Sequence, residues 1–364
     1  MRTARGYNPA MPSPSKVAVF LPNPLGDAVM ATPALRAMRK SWPGAGFVYV
    51  GRRAALDAME GCPWPEEMLA DASDKGLAAA WSLARRLKTR ACDLAVIFPN
   101  SFRPALAAWM AGIPRRAGYV RYGRGWLLTD KLHPPRSGGR RVPVPQIQYY
   151  RALVEQAGAE WDGDAMQLFP TDRHEREAEA LFSEAGIHGG PVVMLNPGAA
   201  FGTSKMWPAE RYAELADALI VRRGARIIIN AAPNEKPVAA AVAAAMEHAP
   251  AVSFAERDNS IGLLKSLIRR CDLLVTNDTG ARHFAAAFGK ALVTVFGSTD
   301  PVWARIDYQR EQIVRAEAPC GPCQKKQCPN PPGERYLRCL KAVTVEQMFA
   351  AAERVLDAAR EGRP

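Results

Sequence analysis

The stretch DLLVTNDTGARHFAAAFGKALVTVFG, residues 272–297, decides the fold of this chain. Two apolar runs, DLLVTN and ALVTVFG, enclose an alanine-rich segment that is typical of a helix ending at a glycine cap, here Gly289. A strand, a helix and a second strand in this order form a βα unit whose two strands run parallel. The stretch therefore predicts a parallel sheet covered by helices.

The same alternation of apolar runs and helical segments extends through the whole sequence. VAVFLP, FVYVG and DLAVIFP stand in the first half, and PVVMLNPG, ARIIIN and AVSFA in the second. These runs are continuously apolar, as expected for strands that are buried on both faces. The two halves also share a short repeated sequence. A Cys-Asp-Leu triplet opens one strand in each half, and its aspartate is Asp93 in the first and Asp272 in the second. We predict an α/β protein with two Rossmann-like domains.

The length and the irregular stretches of the chain set the predicted domain boundaries. Its 364 residues suit roughly two domains, and 48% hydrophobic residues suffice for two cores. We predict a disordered tail at residues 1–15, domains at residues 16–170 and 171–345, and a last helix within residues 346–364. Neither a signal peptide nor a membrane-spanning run is expected, so we predict a cytoplasmic protein.

Asp278 is a candidate site residue because ligands of such folds bind beyond the carboxyl ends of the strands. It follows an apolar run and precedes the predicted helix at Gly280. Two interpretations stay open, namely an ordinary helix cap or a carboxylate that accepts hydrogen bonds from two sugar hydroxyls. The start of the helix itself favours an anion such as a diphosphate.

The loop NPGAAFGTSKMWP, residues 196–208, is a second candidate site after a strand. Its spacing does not match the phosphate loop of nucleotide triphosphatases, so that class is excluded. Two glycines, two hydroxyls (Thr203, Ser204) and a point cation (Lys205) nevertheless suit a diphosphate. An ordinary surface turn is the alternative interpretation.

Asp27 lies in FLPNPLGDAVMATPALRAMRK, residues 20–40, between an apolar run and a helical one. It either caps a helix or performs chemistry at the end of a strand. Thr32 and Pro33 form a good cap and first-position pair, so we predict that the long helix begins at Pro33 after a short turn. This placement disfavours simple capping by Asp27.

The charge of the chain indicates an anionic partner. The formal net charge is +12, and residues 115–141 hold eight Arg or Lys against one acid, with Tyr122 and Trp126 among them. A phosphorylated substrate or a membrane surface would fit this segment, and a solvated loop is the alternative interpretation. Nucleic acid is not predicted as a partner, because no recognised nucleic-acid module is present.

Cofactor motifs are absent, but four of the seven cysteines cluster near the end of the chain. No GxGxxG follows a strand and no HExxH pattern occurs, so neither a dehydrogenase nor a catalytic metal is predicted. A cytoplasmic cluster of thiols favours a closed structural zinc site, with free thiols or redox chemistry as the alternatives. The clustered residues are Cys320, Cys323, Cys328 and Cys339.

Three separated blocks of the sequence resemble one family of enzymes. They are NPLGDAVMATPALRAMRK, NPGAAFGTSKMWPAERYAELA and VTNDTGARHFAAAFGKALVTVFGSTDP, and the chain ends with a segment APCGPCQKKQCP…RCL. These blocks are similar to the ADP-heptose:lipopolysaccharide heptosyltransferases of glycosyltransferase family 9, and the cysteine-rich ending to the heptosyltransferase II branch. The resemblance implies a GT-B architecture, in which two Rossmann-like domains face each other across a cleft.

The resemblance also implies an activity and a separate binding role for each domain. The N-terminal domain would bind the acceptor and the C-terminal domain the nucleotide sugar, with the last helix packing back toward the N-terminal domain. The transfer would invert the anomeric carbon and need neither metal nor cofactor. The implied partners are ADP-heptose and a phosphorylated lipid A–core acceptor at the inner face of the membrane. A family 9 enzyme with another nucleotide sugar or acceptor, and a non-catalytic binding protein, are the alternatives.

Roles carry over to the matching residues. Asp27 is the implied general base, Lys205 binds the donor phosphates with Thr203 and Ser204, and Asp278 holds the heptose hydroxyls. Glu235, after the run ARIIIN, is the candidate acid for the adenosine ribose. The residues implied around the diphosphate are Thr279, Gly280 and His283. The predicted acceptor-binding residues are Arg115, Arg121 and Arg124.

Overall fold

The computed structural model describes residues 12–71 and 76–362, and its contacts divide the chain into two units. The first unit runs to Phe169 and also contains Val302–Ile306; the second comprises Pro170–Pro301 and the chain from Asp307 onward. Val302–Ile306 was predicted in the second domain. It belongs to the first because, for example, the Trp303 carbonyl accepts a hydrogen bond from the Gln146 amide at 3.2 Å.

The first unit is built on a six-stranded, fully parallel sheet in the order β3-β2-β1-β4-β5-β6. Val17 of the central strand lies opposite Phe47 on one neighbour and Leu94 on the other. All three side chains are fully buried, because helices cover both faces of the sheet. The strands are β1 (Lys16–Phe20), β2 (Gly46–Gly51), β3 (Glu67–Ala70), β4 (Leu94–Ile97), β5 (Arg115–Tyr119) and β6 (Asp130–Leu132).

Within residues 12–71 and 76–169, six α-helices and a small hairpin complete the first unit. The hairpin pairs β7 (Arg136–Ser137) with β8 (Arg140–Arg141), and a 3-10 helix spans Arg124–Leu127. The helices are α1 (Leu25–Met30), α2 (Thr32–Ser41), α3 (Arg53–Met59), α4 (Leu77–Lys88), α5 (Phe102–Met110) and α6 (Gln146–Ala157).

The segment after β1 differs from its prediction. It forms two helices, α1 and α2, and the cap of α2 is Ala31 rather than Thr32. The Thr32 hydroxyl is not a cap because it donates to the Val29 carbonyl at 2.7 Å and accepts from the Gln167 amide at 3.0 Å. The predicted tail also ends earlier, since Ser15 donates to the Asp93 carboxylate at 2.7 Å, while residues 1–11 of that tail lie outside the described residues.

The second unit repeats the first, with the strand order β11-β10-β9-β12-β13-β14, again fully parallel. Its strands are β9 (Val192–Asn196), β10 (Arg226–Ile229), β11 (Val252–Ser253), β12 (Leu273–Asn277), β13 (Ala291–Phe296) and β14 (Glu311–Arg315). Its helices are α7 (Asp172–Glu184), α8 (Ala209–Arg223), α9 (Lys236–Ala245), α10 (Ile261–Arg270), α11 (Gly280–Ala287), α12 (Arg338–Lys341) and α13 (Val345–Arg360).

The repeated Cys-Asp-Leu triplets have the same structural role in both units. The Asp93 carboxylate accepts from the amides of Ser15 and Lys16 at the start of β1, at 2.7 and 3.2 Å. The Asp272 carboxylate accepts from the Val192 amide at the start of β9, at 2.8 Å. Each aspartate therefore satisfies the amino end of the central strand.

The last helix, α13, begins with a capping box between Thr344 and Gln347. It packs on α8 and on β12, β13 and β14, so these contacts place it in the second unit. The packing back toward the first domain stays a prediction. Among the described residues, no helix is both long and apolar enough to span a bilayer.

Both sheets have the strand order of a doubly wound Rossmann fold, which confirms the predicted α/β class. In each sheet the order reverses beside the central strand, between β1 and β4 and between β9 and β12. Ligands of open α/β sheets bind at this reversal, beyond the carboxyl ends of the strands. The loops after these four strands are therefore the expected location of a ligand site.

Candidate functional site

Two of the predicted site residues meet at the strand reversal of the second unit. The Lys205 ammonium donates to a carboxylate oxygen of Asp278 at 2.6 Å and to the Asp278 carbonyl at 2.9 Å. Lys205 ends a 3-10 turn in the loop after β9, and Asp278 directly follows β12. Because β9 and β12 are neighbours in the sheet, their following loops converge. The structure thus joins the two loops that the sequence singled out separately.

Asp278 is an ionised carboxylate in this arrangement. Burial raises the pKa of Asp278. The pKa is lowered by the charge and hydrogen bond of Lys205, by a hydrogen bond from Thr299 at 2.8 Å and by the charge of Arg282. The lowering effects are larger, so the pKa lies below its usual range. Lys205 and Thr299 both donate to Oδ2. Oδ1 therefore remains to accept hydrogen bonds from another molecule.

The start of α11 lies next to this pair and receives no side-chain cap. Its cap residue is Thr279, whose hydroxyl lies 3.3 Å from the Asn196 amide nitrogen and 3.1 Å from the Thr276 hydroxyl. The carboxylate of Asp278, the other candidate cap, accepts hydrogen bonds from Lys205 and Thr299 instead. The first backbone N–H groups of α11 are therefore uncapped and lie at the positive end of the helix dipole. Both features are typical of an anion-binding site.

Three asparagines at strand ends support the site, and none of them was predicted as a site residue. The Asn230 amide donates to Asn196 Oδ1 at 2.6 Å, and the Asn277 amide donates to the Pro197 carbonyl at 2.7 Å. Asn277 Oδ1 accepts in turn from the Trp207 amide at 3.1 Å. The signal was present, because LN, IN and TN end the apolar runs of β9, β10 and β12.

Glu235 lies against the same loop. Its carboxylate lies so close to Gly198 that a β-carbon added to the glycine would overlap with it. Burial raises the pKa of Glu235, and a hydrogen bond from the Ala232 amide at 3.4 Å only partly opposes this. The half-buried acid therefore stands beside the loop that carries Lys205.

The cysteine-rich segment braces this loop through Ser204. The buried Ser204 hydroxyl donates to the Lys325 carbonyl and lies 3.0 Å from the Ser298 hydroxyl, and its amide donates to the Lys326 carbonyl at 3.2 Å. Its hydroxyl is thus used inside the protein, so we assign it to positioning the loop instead of the predicted donor contact. The neighbouring Thr203 is exposed.

The loop can approach the segment this closely because residue 202 is a glycine. Gly202 has a φ of +146°, and a β-carbon there would overlap with the Lys326 carbonyl oxygen. Both the backbone angle and the contact require glycine.

The four clustered cysteines line one small cavity of about 10 Å³ and are free thiols. Backbone and amide N–H groups reach two of the sulfurs, from Leu337 to Cys328 at 3.3 Å and from Asn330 to Cys320 at 3.6 Å. Within residues 12–71 and 76–362, however, no three His, Cys, Asp or Glu side chains are placed to hold a metal ion. The geometry does not support the zinc interpretation.

His283 and Arg282, on α11, are both buried in the domain. Burial and the Arg282 charge lower the pKa of His283 to about 3, so its imidazole is neutral. Its Nδ1 finds no hydrogen-bond partner among the described residues. Arg282 forms a two-pronged ion pair with Glu311, at 2.6 and 2.7 Å, and the Thr294 hydroxyl donates to the same carboxylate.

Asp27 lies at the corresponding strand reversal of the first unit, in the first turn of α1. No side chain caps α1, so simple capping does not explain Asp27. Its charge reaches Tyr150, whose pKa is raised well above the usual range by burial and further by Asp27. The half-exposed carboxylate therefore stands at the carboxyl edge of the first sheet, near a buried phenol.

A cavity of about 360 Å³ opens at this same edge. Its lining includes two arginines that the sequence analysis did not single out, Arg52 and Arg103, together with Asn23, Asp71 and Phe102. Arg103 donates to Asp71 at 2.9 Å, while Arg52 is exposed. The two guanidinium groups in the lining of this cavity suit an anionic ligand.

Two of the three predicted acceptor-binding arginines, Arg115 and Arg124, make contacts inside the domain instead. Arg124 is fully buried and donates to the carbonyls of Pro99, Ser101 and Tyr119, and burial lowers its pKa to about 10. Arg115 pairs with Asp130 at 3.3 Å and donates to the Ala157 carbonyl at 3.1 Å. Of the three, Arg121 lies at the surface, where it stacks on Tyr122.

Comparisons with known proteins agree with this geometry. The sequence matches the family described as Glycosyltransferase family 9 (heptosyltransferase) over residues 80–333. Lipopolysaccharide heptosyltransferase 2 of Escherichia coli (strain K12) is 26% identical over 310 residues, which are 82% of this chain and 88% of that protein.

Solved structures of this family share the fold. The structure of E. coli ADP-heptose lps heptosyltransferase II matches with a TM-score of 0.76 and 22% identity, over 95% of this chain and 99% of that one. A family 9 glycosyltransferase from Veillonella parvula DSM 2008 matches with a TM-score of 0.80 and 23% identity, over 94% and 97%. With the two Rossmann-like sheets, these matches establish the predicted GT-B architecture. Since the family match spans most of the sequence, the chain belongs to glycosyltransferase family 9 and is a glycosyltransferase.

Proposed function

We propose that this enzyme transfers heptose from ADP-heptose to a phosphorylated lipopolysaccharide inner-core acceptor, with inversion at the anomeric carbon. The observation that carries the proposal is the ion pair between Lys205 and Asp278 beside the uncapped start of α11. It combines a cation for a diphosphate with a carboxylate for sugar hydroxyls. The E. coli relative, a lipopolysaccharide heptosyltransferase, supports heptose as the sugar.

The donor half of the site is proposed to work by charge. Lys205 uses two of its three ammonium protons on Asp278, and its third donor faces the leaving diphosphate. The amides at Thr279 and Gly280 add the dipole of α11 to the stabilisation of the departing ADP. Asp278 Oδ1 accepts from heptose hydroxyls, and Glu235 accepts from the adenosine ribose.

The acceptor half is proposed to supply the base. The acceptor hydroxyl oxygen forms a bond to the anomeric carbon while the bond from that carbon to the diphosphate oxygen breaks. Asp27 takes the hydroxyl proton, and ADP leaves with the electron pair of the broken bond. An ordinary aspartate pKa is about 3.9, so the placement of Asp27 contributes more than its basicity. No step in this scheme is assigned to a metal.

Arg52 and Arg103 take over the acceptor role predicted for Arg115 and Arg124. They line the cavity at the edge where Asp27 lies, and guanidinium groups bind phosphate in a two-pronged manner. We accordingly propose that the enzyme works in the cytoplasm, on an acceptor whose lipid portion lies in the inner face of the membrane.

A donor screen tests the proposal. We expect ADP-heptose to raise the melting temperature of the protein and to be consumed with a lipopolysaccharide core acceptor, while UDP- and GDP-sugars do neither. A preference for a uridine or guanosine nucleotide would favour a family 9 enzyme with a different donor. Donor binding without turnover on any core acceptor would favour a non-catalytic binding protein.

A further inference from the structure

The first unit carries an exposed aromatic surface close to the cavity of about 360 Å³ that Arg52 and Arg103 line, here called the acceptor cavity. Its side chains are Phe102, Trp109, Tyr122 and Trp126, which we call the aromatic face. Their exposed fractions are 37%, 47%, 70% and 60%. The rings of Trp109 and Trp126 lie 5.7 Å apart and those of Phe102 and Trp126 lie 6.2 Å apart, so these three form one contiguous cluster. Contiguous exposed apolar patches of this kind mark interaction sites.

The aromatic face is held in place by buried contacts. Trp126 stands on the 3-10 helix that Arg124 begins, and the buried guanidinium of Arg124 fastens this turn to the carbonyls of Pro99, Ser101 and Tyr119. Tyr122 precedes the turn with a φ of +50°. The exposed rings therefore project from a fixed backbone instead of lying in a loose loop.

The surrounding sequence is strongly basic. Residues 77–129 contain nine Arg or Lys and a single acid, Asp93. Three of the nine pair with acids outside this range, namely Arg90 with Glu67, Arg103 with Asp71 and Arg115 with Asp130, and Arg124 is buried. Arg85, Arg86 and Lys88, on α4, are exposed. Asp93 is engaged at the start of β1, and Arg121 stacks on Tyr122 at 4.7 Å within the aromatic face. Trp and Tyr side chains favour the interface of a bilayer, and Arg and Lys are attracted to anionic lipid headgroups. The aromatic face, with Arg121 stacked on Tyr122 and exposed cations on α4, the helix that packs on α5, matches both features.

The aromatic face adjoins the acceptor cavity. Phe102 contacts Trp126 on one side and lines the cavity on the other, next to Arg103. A lipid-linked sugar could therefore keep its acyl chains in a bilayer below the aromatic face while its phosphorylated sugars enter the cavity. This step rests on the function proposed above.

We propose that the aromatic face docks the enzyme on a bilayer that contains anionic phospholipid, with Trp109 and Trp126 inserted at the headgroup level. The ring contacts favour this partner over single-stranded nucleic acid. Trp126 packs against both Trp109 and Phe102, so it is less available for stacking with bases.

Co-sedimentation of the full chain with vesicles tests the proposal. Vesicles of phosphatidylethanolamine and phosphatidylglycerol should bind the protein, whereas phosphatidylcholine vesicles should bind it weakly, and added salt should weaken the binding. The variant Trp109→Ala/Trp126→Ala should partition about tenfold less into the anionic vesicles. Val221→Ser, which removes an exposed apolar side chain from the second unit, should bind as the wild type does.

A second measurement separates docking from catalysis and folding. The double tryptophan variant should retain wild-type turnover of a delipidated, water-soluble core acceptor and lose turnover of the acceptor embedded in vesicles. Equal vesicle binding by the variant and the wild type would overturn the docking proposal, even if transfer is observed. Vesicle binding without any transfer would overturn the proposed function and leave the docking proposal standing. Tryptophan-dependent binding of oligothymidylate, or tryptophan-dependent dimerisation without lipid binding, would also overturn docking.

Discussion

Lys205 Nζ and Asp278 Oδ2 lie 2.6 Å apart although the two residues stand 73 positions apart in the chain. Each is nearly buried, with exposed side-chain fractions of 12% and 9%. Removing one partner from such a pair leaves the other as an uncompensated charge. The pair is therefore the most sensitive point of the proposed donor site.

Lys205→Met should abolish most transfer. It removes the cation assigned to the leaving diphosphate and leaves the buried Asp278 carboxylate without its main partner, so the pKa of Asp278 should rise. We expect kcat to fall about 10²–10³-fold, the usual effect of losing one such group. Steady-state kinetics with ADP-heptose measure this. Lys40→Met is the matched control, because Lys40 pairs with Asp162 in the first unit, and an equal loss there would contradict the assignment.

Asp27→Asn should separate chemistry from donor binding. The amide keeps the shape of the side chain but cannot accept the acceptor proton, so kcat should fall about 10²–10⁴-fold. The Kd for ADP-heptose, measured by calorimetry, should stay unchanged, because the donor residues lie in the second unit. Unchanged turnover in this variant would remove Asp27 as the base.

Glu235→Gln should stabilise the protein while it weakens donor binding. Burial raises the folded-state pKa of Glu235, so folding favours the protonated acid. That favourable contribution is present below the ordinary pKa and is lost as the pH rises through the folded value. The ionised acid consequently costs stability at neutral pH, and the glutamine removes this cost.

Urea unfolding across pH tests the charge effect at Glu235. The variant should be more stable than the wild type at neutral pH, and the difference should shrink toward about pH 4. A variant that is less stable at neutral pH would show that the carboxylate makes a stabilising contact. The KM for ADP-heptose should rise in the same variant.

Ser204→Ala should misplace the donor loop. It removes the buried Ser204 hydroxyl that donates to the Lys325 carbonyl, which costs about 1–3 kcal/mol of unfolding free energy. Because the loop carries Lys205, the KM for ADP-heptose should rise more than kcat falls. Ser183→Ala changes an exposed hydroxyl on α7 and should have little effect. Equal kinetics in the two variants would argue against the brace.

Arg282→Met should strongly destabilise the second unit. Arg282 and Glu311 are 1% and 4% exposed, so the variant buries an unpaired carboxylate. The unfolding free energy should fall by roughly 3–5 kcal/mol. Arg282→Met/Glu311→Leu should regain most of this loss, because both charges are then absent. A double variant as unstable as the single one would show that packing, and not the charge, is responsible.

The sequence by itself determined the class of fold and the positions of the main candidates. Strands that are buried on both faces must be apolar throughout, so runs such as VAVF and DLLV can be recognised as strands from the sequence alone. Sites of doubly wound folds follow strand ends, which singled out Asp27, Lys205 and Asp278 before any contact was known. The repeated Cys-Asp-Leu triplet was also visible, although its task at the start of the central strands was not.

Only the tertiary structure decided which polar side chains face a ligand. Arg115 and Arg124 have the same chemistry as Arg52, yet the first two donate to carbonyls inside the domain while Arg52 is exposed in the lining of a cavity. Likewise, the Ser204 hydroxyl turns to the Lys325 carbonyl, 121 positions away, while its neighbour Lys205 reaches Asp278. The reason is physical. A buried donor must find an acceptor, and which acceptor is near depends on elements that the local sequence does not contain.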